Sequence, residues 1–266
     1  MRIASLGSGS KGNATLVDTG ETLLLIDCGL TRKEAEDRLV ARGVSAGEID
    51  AILVTHEHGD HCRGVAALSS NYEIPVFLTA GTVGSPKLDG LKQSVIIRPG
   101  DRFDVGDCRI AAVPVPHDAR EPVQFCLEAG AVKLGILTDL GTITPHVVQA
   151  FSDCDALVLE FNHDPRMLAE GPYPRSVKAR VGGAFGHLTN QQARQFLDHA
   201  GTDKLKTLFV AHISQQNNAP ELAEAALTGW PGLSYCAVIH ATQETGFDWY
   251  TLDRLDTQPE FKAGMR

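Results

Sequence analysis

The chain reads Ile52-Leu53-Val54-Thr55-His56-Glu57-His58-Gly59-Asp60-His61, an apolar run that leads into a cluster of metal-binding residue types. His56 and His58 lie two positions apart, so both imidazoles point to the same side of an extended segment. Asp60 and His61 are adjacent and need a turn or a helix start to diverge. The zincin pattern H-E-x-x-H is excluded because Asp60 stands four positions after His56. The stretch therefore predicts one loop that supplies ligands to two metal ions.

Five further apolar, β-branched runs end on a residue that can bind metal or transfer protons. Near-continuous apolar runs predict strands that are buried on both faces. Polar residues at the ends of such strands gather at one edge of a sheet, where binding sites are commonly built. The residues in question are Asp27, His117, Asp139, Glu160 and His212.

Helix and turn signals lie between these strands. Capping-box patterns that begin at Thr31 and Thr189 predict amphipathic helices ending near Gly43 and Gly201, and a third helix is predicted over about 220–227. Hairpin signals at 18–20, at 105–107 and around Gly130 join neighbouring strands antiparallel. Mixed connectivity with helices outside predicts an α/β fold in which two packed sheets form an α/β/β/α sandwich. No linker divides the chain, so we expect a single domain over 1–257, followed by a polar C-terminal tail over 258–266.

Composition and charge exclude several classes of protein. A hydrophobic content of 43% in 266 residues is enough for a sizeable core. The six cysteines contain no C-x-x-C pair, so neither a zinc ribbon nor a redox dithiol is indicated. A net charge of -9 argues against binding nucleic acid through global charge, so any attraction for phosphate must be local. No signal-peptide core and no apolar run near the ~20 residues of a membrane span are found, so we expect a cytoplasmic protein.

The strand-end pattern resembles the metallo-β-lactamase fold superfamily. The superfamily motif H-x-H-x-D-H stands here at 56–61, and the match runs through most of the chain. The other motifs of the superfamily correspond in chain order to Asp27, His117, Asp139 and His212. The resemblance implies the α/β/β/α sandwich of the metallo-β-lactamase type and a metal-dependent hydrolase.

The resemblance also implies two divalent metal ions per chain. The first would be held by His56, His58 and His117, the second by Asp60, His61 and His212, with Asp139 as the bridge. Imidazole and carboxylate ligands suit zinc, manganese or iron, and they leave room for a shared hydroxide as the nucleophile. In the superfamily the aspartate at the place of Asp27 orients a ligand histidine. A simple turn residue is the alternative for Asp27.

Two residues outside this ligand set indicate which bond is cleaved. Glu160 ends a strand and His187 stands at a glycine-loop-to-helix junction. They resemble the tRNA-processing phosphodiesterase branch, in which a glutamate orients a histidine that protonates the leaving oxygen. A phosphodiester leaves a poor alkoxide, so a general acid could contribute roughly 10²–10⁴-fold. With Asp60, these two make up the expected catalytic residues; a helix-start histidine and a surface carboxylate are the alternatives.

Further motifs resemble the WalJ/YycJ-type branch of bacterial metallo-β-lactamase-fold hydrolases, which are described as DNA exonucleases. The similarity covers nearly the whole chain, and its departures, Phe161 and Cys62, touch no ligand position. The motifs are Ser8-Gly9-Ser10-Lys11-Gly12-Asn13, Phe161-Asn162-His163-Asp164, Tyr173-Pro174 and His212-Ile213-Ser214. The resemblance implies a di-metal phosphodiesterase that acts on nucleic acid, and specifically a DNA exonuclease.

Several residues are candidates for contact with the substrate or for support of the ligands. Ser10 and Asn13 lie in a glycine-serine loop that could cradle a phosphate, with a tight turn as the equal alternative. His163 is either such a contact or a turn residue. A basic segment over 166–180 is hypothesised to be a lid on the nucleic-acid backbone, with Tyr173 stacking on a terminal base and the charged contacts made by Lys178 and Arg180.

Other functions remain open at the level of the sequence. A phosphodiesterase for a small cyclic or nucleotide substrate would suit the acidic charge better. A thioesterase of the glyoxalase type would tolerate loss of His187, and a mononuclear iron dioxygenase uses part of the same ligand set. A non-enzymatic, partner-binding fold is disfavoured because no expected ligand is missing. We also expect a homodimer, because many relatives associate.

Overall fold

The structure, a computed structural model, describes residues 1–252. The predicted tail over 258–266 lies outside the described residues. Within residues 1–252, fourteen strands form two sheets of seven strands each. They are β1 (Arg2–Gly7), β2 (Ala14–Asp18), β3 (Leu23–Ile26), β4 (Ala51–Leu53), β5 (Val76–Thr79), β6 (Ser94–Ile97), β7 (Arg102–Val105), β8 (Cys108–Pro114), β9 (Val123–Ala129), β10 (Val132–Leu137), β11 (Ala156–Glu160), β12 (Thr207–Ala211), β13 (Ala237–His240) and β14 (Phe247–Thr251).

The same residues contain nine α-helices and four short 3₁₀ helices. The α-helices are α1 (Arg32–Ala41), α2 (Gly59–Cys62), α3 (Val65–Tyr72), α4 (Ala80–Val83), α5 (Pro145–Phe151), α6 (Pro165–Glu170), α7 (Arg175–Val181), α8 (Asn190–His199) and α9 (Pro220–Leu227). The 3₁₀ helices are Ala46–Glu48, Pro86–Leu88, Thr202–Lys204 and Pro231–Ser234. None of the helices within residues 1–252 is long and apolar enough to span a membrane.

The two sheets have mirrored topologies. The first sheet has the order β14-β1-β2-β3-β4-β5-β6, antiparallel as far as β3 and parallel from β3 to β6. The second has the order β13-β12-β11-β10-β9-β8-β7, parallel from β13 to β10 and antiparallel beyond. The parallel strands need helical crossovers, which explains why the helices cover the outer faces.

Three apolar clusters hold these layers together. One lies between the sheets and includes Phe125 and Phe209, both wholly buried. A second packs the first sheet against α1 and α3 through Leu39 and Leu68, and a third packs the other sheet against α5, α8 and α9, with Phe196 in its centre. The layers therefore run helix, sheet, sheet, helix, which confirms the predicted α/β/β/α sandwich.

The local signals read from the sequence are also present. Thr31 and Thr189 form the two capping boxes that begin α1 and α8, and α9 has the predicted bounds. Each predicted hairpin joins an antiparallel pair: β2 to β3, β7 to β8, and β9 to β10. Gly106 and Gly130 have φ of 56° and 57°, a left-handed conformation that the tight turns require and that glycine adopts without strain.

Candidate metal centre and cleft

The strand-end residues meet at one edge of the sandwich. Asp27 follows β3, the 56–61 loop follows β4, and Asp139, Glu160 and His212 follow or close β10, β11 and β12. Because these strands are parallel within each sheet, their carboxyl ends point the same way and their loops converge. His117, in the loop after β8, lies with them, so the structure brings together from six segments of the chain the residues that the sequence analysis selected separately.

The backbone turns sharply where three of these side chains enter the site. Asp27, Asp139 and His212 have φ of 59°, 53° and 52°, in the left-handed region. Non-glycine residues adopt this region at a cost of order 1 kcal/mol or more, and such strain concentrates at functional sites. Helix α2, which begins after His58, separates the directions of Asp60 and His61, as the sequence predicted.

The imidazoles and carboxylates form two adjoining groups. Within each group the candidate ligand atoms lie within 4.8 Å of one another: His56, His58 and His117 in one, Asp60, His61 and His212 in the other. Asp139 lies between the groups. Its Oδ1 is 3.7 Å from His212 Nε2 and 4.0 Å from His117 Nε2, while its Oδ2 is 3.1 Å from His61 Nε2.

Three buried polar atoms in this cluster form no hydrogen bond: Nε2 of His56, Nε2 of His212 and Oδ2 of Asp139. Buried polar atoms are almost always paired, and an unmade hydrogen bond is costly. Divalent cations between the two groups would satisfy these atoms, and the nitrogen and oxygen donors suit zinc, manganese or iron. The residues therefore fit divalent metal ions.

Surrounding groups hold the histidine rings so that the candidate ligand nitrogens face inward. Asp27 Oδ2 accepts from His61 Nδ1 at 2.8 Å, and the Thr55 amide and hydroxyl both donate to the same carboxylate at 2.8 Å. The Gly186 carbonyl accepts from His117 Nδ1 at 3.1 Å. Each of these bonds places a proton on Nδ1 and turns Nε2 towards the other candidate ligands, which is the usual arrangement around metal-binding histidines.

Neighbouring carboxylates favour the protonated form of two buried imidazoles. Burial opposes protonation of His212, but Asp139 and the other neighbouring carboxylates outweigh it and raise the pKa to about 10. Burial also opposes protonation of His61, and Asp139, Asp27 and Asp60 raise its pKa well above the ordinary value. The pKa of Asp139 is held well below its usual range by these imidazoles, although burial acts against this.

Glu160 and His187 lie beside the cluster. Glu160 is wholly buried; its Oε2 accepts from His187 Nδ1 at 3.1 Å, and its Oε1 accepts from the amides of Leu140 and Leu188. Burial alone would raise the pKa of this carboxyl, but His187 and the hydrogen bonds lower it to about 2. His187 Nδ1 is 3.6 Å from Asp139 Oδ1. Glu160 is thus an ionised carboxylate that orients the His187 ring at the edge of the cluster.

The cluster opens into a cleft of about 290 Å³. Ser10 and Arg180 line it, as do Tyr173, Ser214 and Asn217. Arg180 Nη1 also donates to Asp118 Oδ2 at 3.1 Å, so helix α7 is tied across the cleft to the segment that carries His117. Lys178 is on the same helix, but its Nζ donates to the Ala169 carbonyl at 2.7 Å.

The two remaining candidates, Asn13 and His163, contact segments that carry other residues of the site. The Asn13 amide donates to the Gly9 and Asp60 carbonyls and approaches His61 Nε2 at 3.1 Å, so it holds the glycine-serine loop against the ligand loop. His163 is buried, and burial lowers its pKa to about 4, so the ring is neutral. Its backbone pairs with residues 188–190, next to His187.

The sequence analysis missed two supporting side chains. Thr55 is wholly buried and bonds both Asp27 and His56. Asn162 Nδ2 lies 3.2 Å from Nδ1 of His212 and donates to the same residue's carbonyl. Both follow a rule that was available: Thr55 stands next to the first motif histidine, and Asn162 lies two positions after Glu160, on the same side of an extended segment.

Comparisons with known proteins identify the family of this chain. A family model described as a beta-lactamase superfamily domain matches residues 22–213. Exodeoxyribonuclease YycJ of Bacillus anthracis is 34% identical over 235 residues, which cover 86% of this chain and 88% of that protein. Exodeoxyribonuclease WalJ of Streptococcus pneumoniae serotype 2 is 30% identical over 229 residues, covering 84% and 85%. The metallo-β-lactamase fold protein YhfI from Bacillus subtilis aligns with a TM-score of 0.72 over 94% of this chain and 99% of its own, at 17% identity.

The fold and the buried histidine and aspartate cluster define a metal-dependent hydrolase. The chain belongs to the metallo-β-lactamase fold superfamily, and YycJ and WalJ are relatives over most of its length. The family and the fold predicted from the motifs are therefore confirmed.

Replacing Asp27 with Asn should weaken metal binding about 10- to 100-fold, because the neutral amide no longer strengthens His61 as a ligand. The affinity is measured by competition with a chromophoric chelator. Asp50→Asn is the matched control, because Asp50 also accepts a backbone hydrogen bond from β3, at the strand's other end. Equal affinity of the Asp27→Asn protein and the wild type would contradict this role.

Metal binding near pH 7 should release about two protons per chain, because His61 and His212 hold protons in the metal-free protein and ligands must be deprotonated. Both pKa values are raised, so protons compete with the metal below them, and the apparent affinity should rise with pH towards about 10. Calorimetric titration in buffers with different ionisation enthalpies counts the protons. A heat independent of the buffer would show that the two rings are neutral.

Proposed function

We propose that this protein is a two-metal phosphodiesterase that acts on nucleic acid as a DNA exonuclease. The observation that carries the proposal is the pair Glu160–His187, a buried carboxylate holding an imidazole at the edge of the metal cluster. Such a pair supplies a proton to a poor leaving group, which a phosphodiester has and a thioester does not. The relatives named exodeoxyribonuclease support DNA as the substrate.

In the proposed mechanism, two divalent cations held by the seven candidate ligands would activate water near neutral pH and neutralise charge on the phosphate. Asp139 lies between the two histidine groups and contacts a ring from each of them. Asp27, Thr55 and the Gly186 carbonyl fix the tautomers and directions of the rings, so the ligand atoms need little rearrangement.

His187 would then act on the departing side. Its Nδ1 donates to Glu160, so the Nε2–H of the protonated ring is the donor left for the leaving oxygen. Glu160 cannot rotate away, because its other oxygen is bound by the amides of Leu140 and Leu188. The ring is therefore pre-oriented, so little conformational entropy would be lost when it donates its proton to the alkoxide.

The dimensions of the cleft support attack at a chain end. Its volume of about 290 Å³ is at the small end of ligand sites, which run from roughly 300 to 1,000 Å³. A cleft of this size suits about one nucleotide unit, as the end of a chain would present. Among residues 1–252, Arg180 is the one lysine or arginine that lines it, so phosphate attraction is local as the net charge of -9 requires.

The same small cleft favours a second candidate, a phosphodiesterase for a small cyclic or nucleotide substrate. This candidate shares the metal centre and the general acid, and it differs in needing no contacts beyond the cleft. The proposal also includes zinc or manganese as the metals, a location in the cytoplasm and a homodimer. Metal analysis of the purified protein and light scattering measure the first and the last of these.

Loss of His187 should reduce turnover on DNA by roughly 10²–10⁴-fold, because the leaving alkoxide then departs without a proton. The assay follows a long duplex labelled separately at the 5′ end, the 3′ end and internally, with manganese or zinc. Early release of one end label, abolished by a chelator and strongly slowed in His187→Ala, is the expected result. Metal content of the variant, measured in parallel, controls for loss of the cluster.

Two other outcomes of this assay would contradict the proposal in different ways. Intact duplex together with hydrolysis of a small chromogenic phosphodiester would favour the small-substrate candidate. Full activity of His187→Ala on a thioester, with no phosphodiester cleaved by either protein, would favour a glyoxalase-type thioesterase.

Arg180→Ala should weaken binding of single-stranded DNA and reduce the slope of log affinity against log salt by about 0.7, the contribution of one phosphate contact. Lys178→Ala should cause a smaller change, because the Lys178 ammonium is held by the Ala169 carbonyl. Both variants are compared by fluorescence anisotropy over a range of salt concentrations. Equal slopes for Arg180→Ala and the wild type would remove α7 from the binding surface.

A further inference from the structure

Phe185 is a large apolar side chain that remains 62% exposed at the edge of the site. It lies two residues before His187, so the two Cα atoms are at most about 7 Å apart. An isolated exposed apolar residue is common on protein surfaces and needs no function by itself. The surroundings of Phe185 supply a second observation.

The turn that carries Phe185 is held to the metal cluster by hydrogen bonds and close packing. The Gly186 carbonyl accepts from Nδ1 of His117, and the Ala184 carbonyl accepts from the Thr142 hydroxyl at 2.7 Å. The Gly186 amide closes the turn on the Gly183 carbonyl at 2.9 Å. Gly141 packs against this turn so closely that a Cβ on it would lie 2.4 Å from the Gly186 nitrogen. Both neighbours of Phe185 are therefore anchored, while its ring is left in water.

The position of this turn relates it to the departing half of the substrate. It joins the end of α7, where Arg180 and Val181 line the cleft, to His187. His187 is the group proposed to protonate the leaving oxygen, so the nucleotide that departs passes this part of the rim. The other cleft residues lie on different segments from this turn: Tyr173 precedes α7, and Ser214 and Asn217 follow β12.

We infer that Phe185 stacks on the base of the nucleotide on the leaving-group side of the scissile phosphate. Every base has a π face, so a rigid aromatic platform binds nucleic acid without choosing its sequence. The anchored turn lets the ring make this contact with little loss of conformational freedom. This inference rests on the proposed function and adds to it a residue that reads the polymer beyond the reacting phosphate.

The test combines one protein change with one substrate change. Wild type and Phe185→Ala are assayed for kcat/KM on oligonucleotides that carry a single abasic residue on either side of the terminal scissile phosphate. When the leaving-side base is absent, the kcat/KM of the wild type should fall about tenfold, within the roughly 5- to 150-fold range that the loss of base stacking produces. The Phe185→Ala variant should have a similarly reduced kcat/KM on the intact oligonucleotide. Removal of the leaving-side base should not reduce the kcat/KM of this variant further.

Matched variants separate stacking from simple burial of apolar surface. Phe185→Trp should retain the sensitivity to the leaving-side base, and Phe185→Leu should lose it. Tyr235→Ala is the control: Tyr235 is an aromatic residue that is 49% exposed and precedes β13, at the opposite end of the parallel strands. It should behave as the wild type. In a His187→Ala background, the fluorescence of 2-aminopurine at the leaving-side position should be quenched on binding only when Phe185 is present.

The inference would be overturned if the Phe185→Ala variant remained as sensitive as the wild type to loss of the leaving-side base. It would also be overturned if the wild type were equally sensitive to loss of the base on either side of the scissile phosphate. A wild type that cleaves no DNA substrate at all would instead overturn the proposed function. Because Phe185 is exposed, unchanged thermal unfolding is expected for all its variants and is measured alongside.

Discussion

The buried carboxylate of Asp27 is the contact on which the rest of the site depends. It joins the end of β3 to the end of β4 through the Thr55 amide and hydroxyl, and it fixes the ring of His61. Its backbone is in the left-handed conformation, which an aspartate tolerates better than most residues. This carboxylate therefore links the end of β3 to both the backbone and a ring of the ligand loop, and backbone bonds from Asn13 and Cys28 hold the same loop.

Around this contact the protein accepts an electrostatic cost for a prepared site. Burying several carboxylates and imidazoles together is unfavourable unless their charges are compensated. The raised pKa values of His61 and His212 and the lowered pKa of Asp139 reflect this compensation, because the imidazoles and carboxylates attract one another and outweigh the cost of burial. Cations and protons therefore compete for one set of atoms, and the fold is built to hold the set in place for either.

The second half of the chain adds groups that border the metal cluster. Glu160 and His187 lie next to the metal cluster, and the turn between α7 and His187 is bonded to His117. The turn that leads to His187 is thus connected by a hydrogen bond to a candidate metal ligand. A change in this turn would affect His187, the rim of the cleft and the ring of His117 together, and the turn packs closely against Gly141.

The sequence alone determined the family, the layered fold and the order of the ligand-bearing strands, because apolar runs that end on His or Asp and close-range caps are local signals. Only the tertiary structure showed that Glu160 is wholly buried, that Lys178 is turned to a backbone carbonyl, and that Phe185 stands exposed on an anchored turn. Burial and side-chain direction depend on which distant segments pack together. No spacing along the chain encodes them, because the contacts between residues 117, 141 and 186 join parts of the chain that are far apart in sequence.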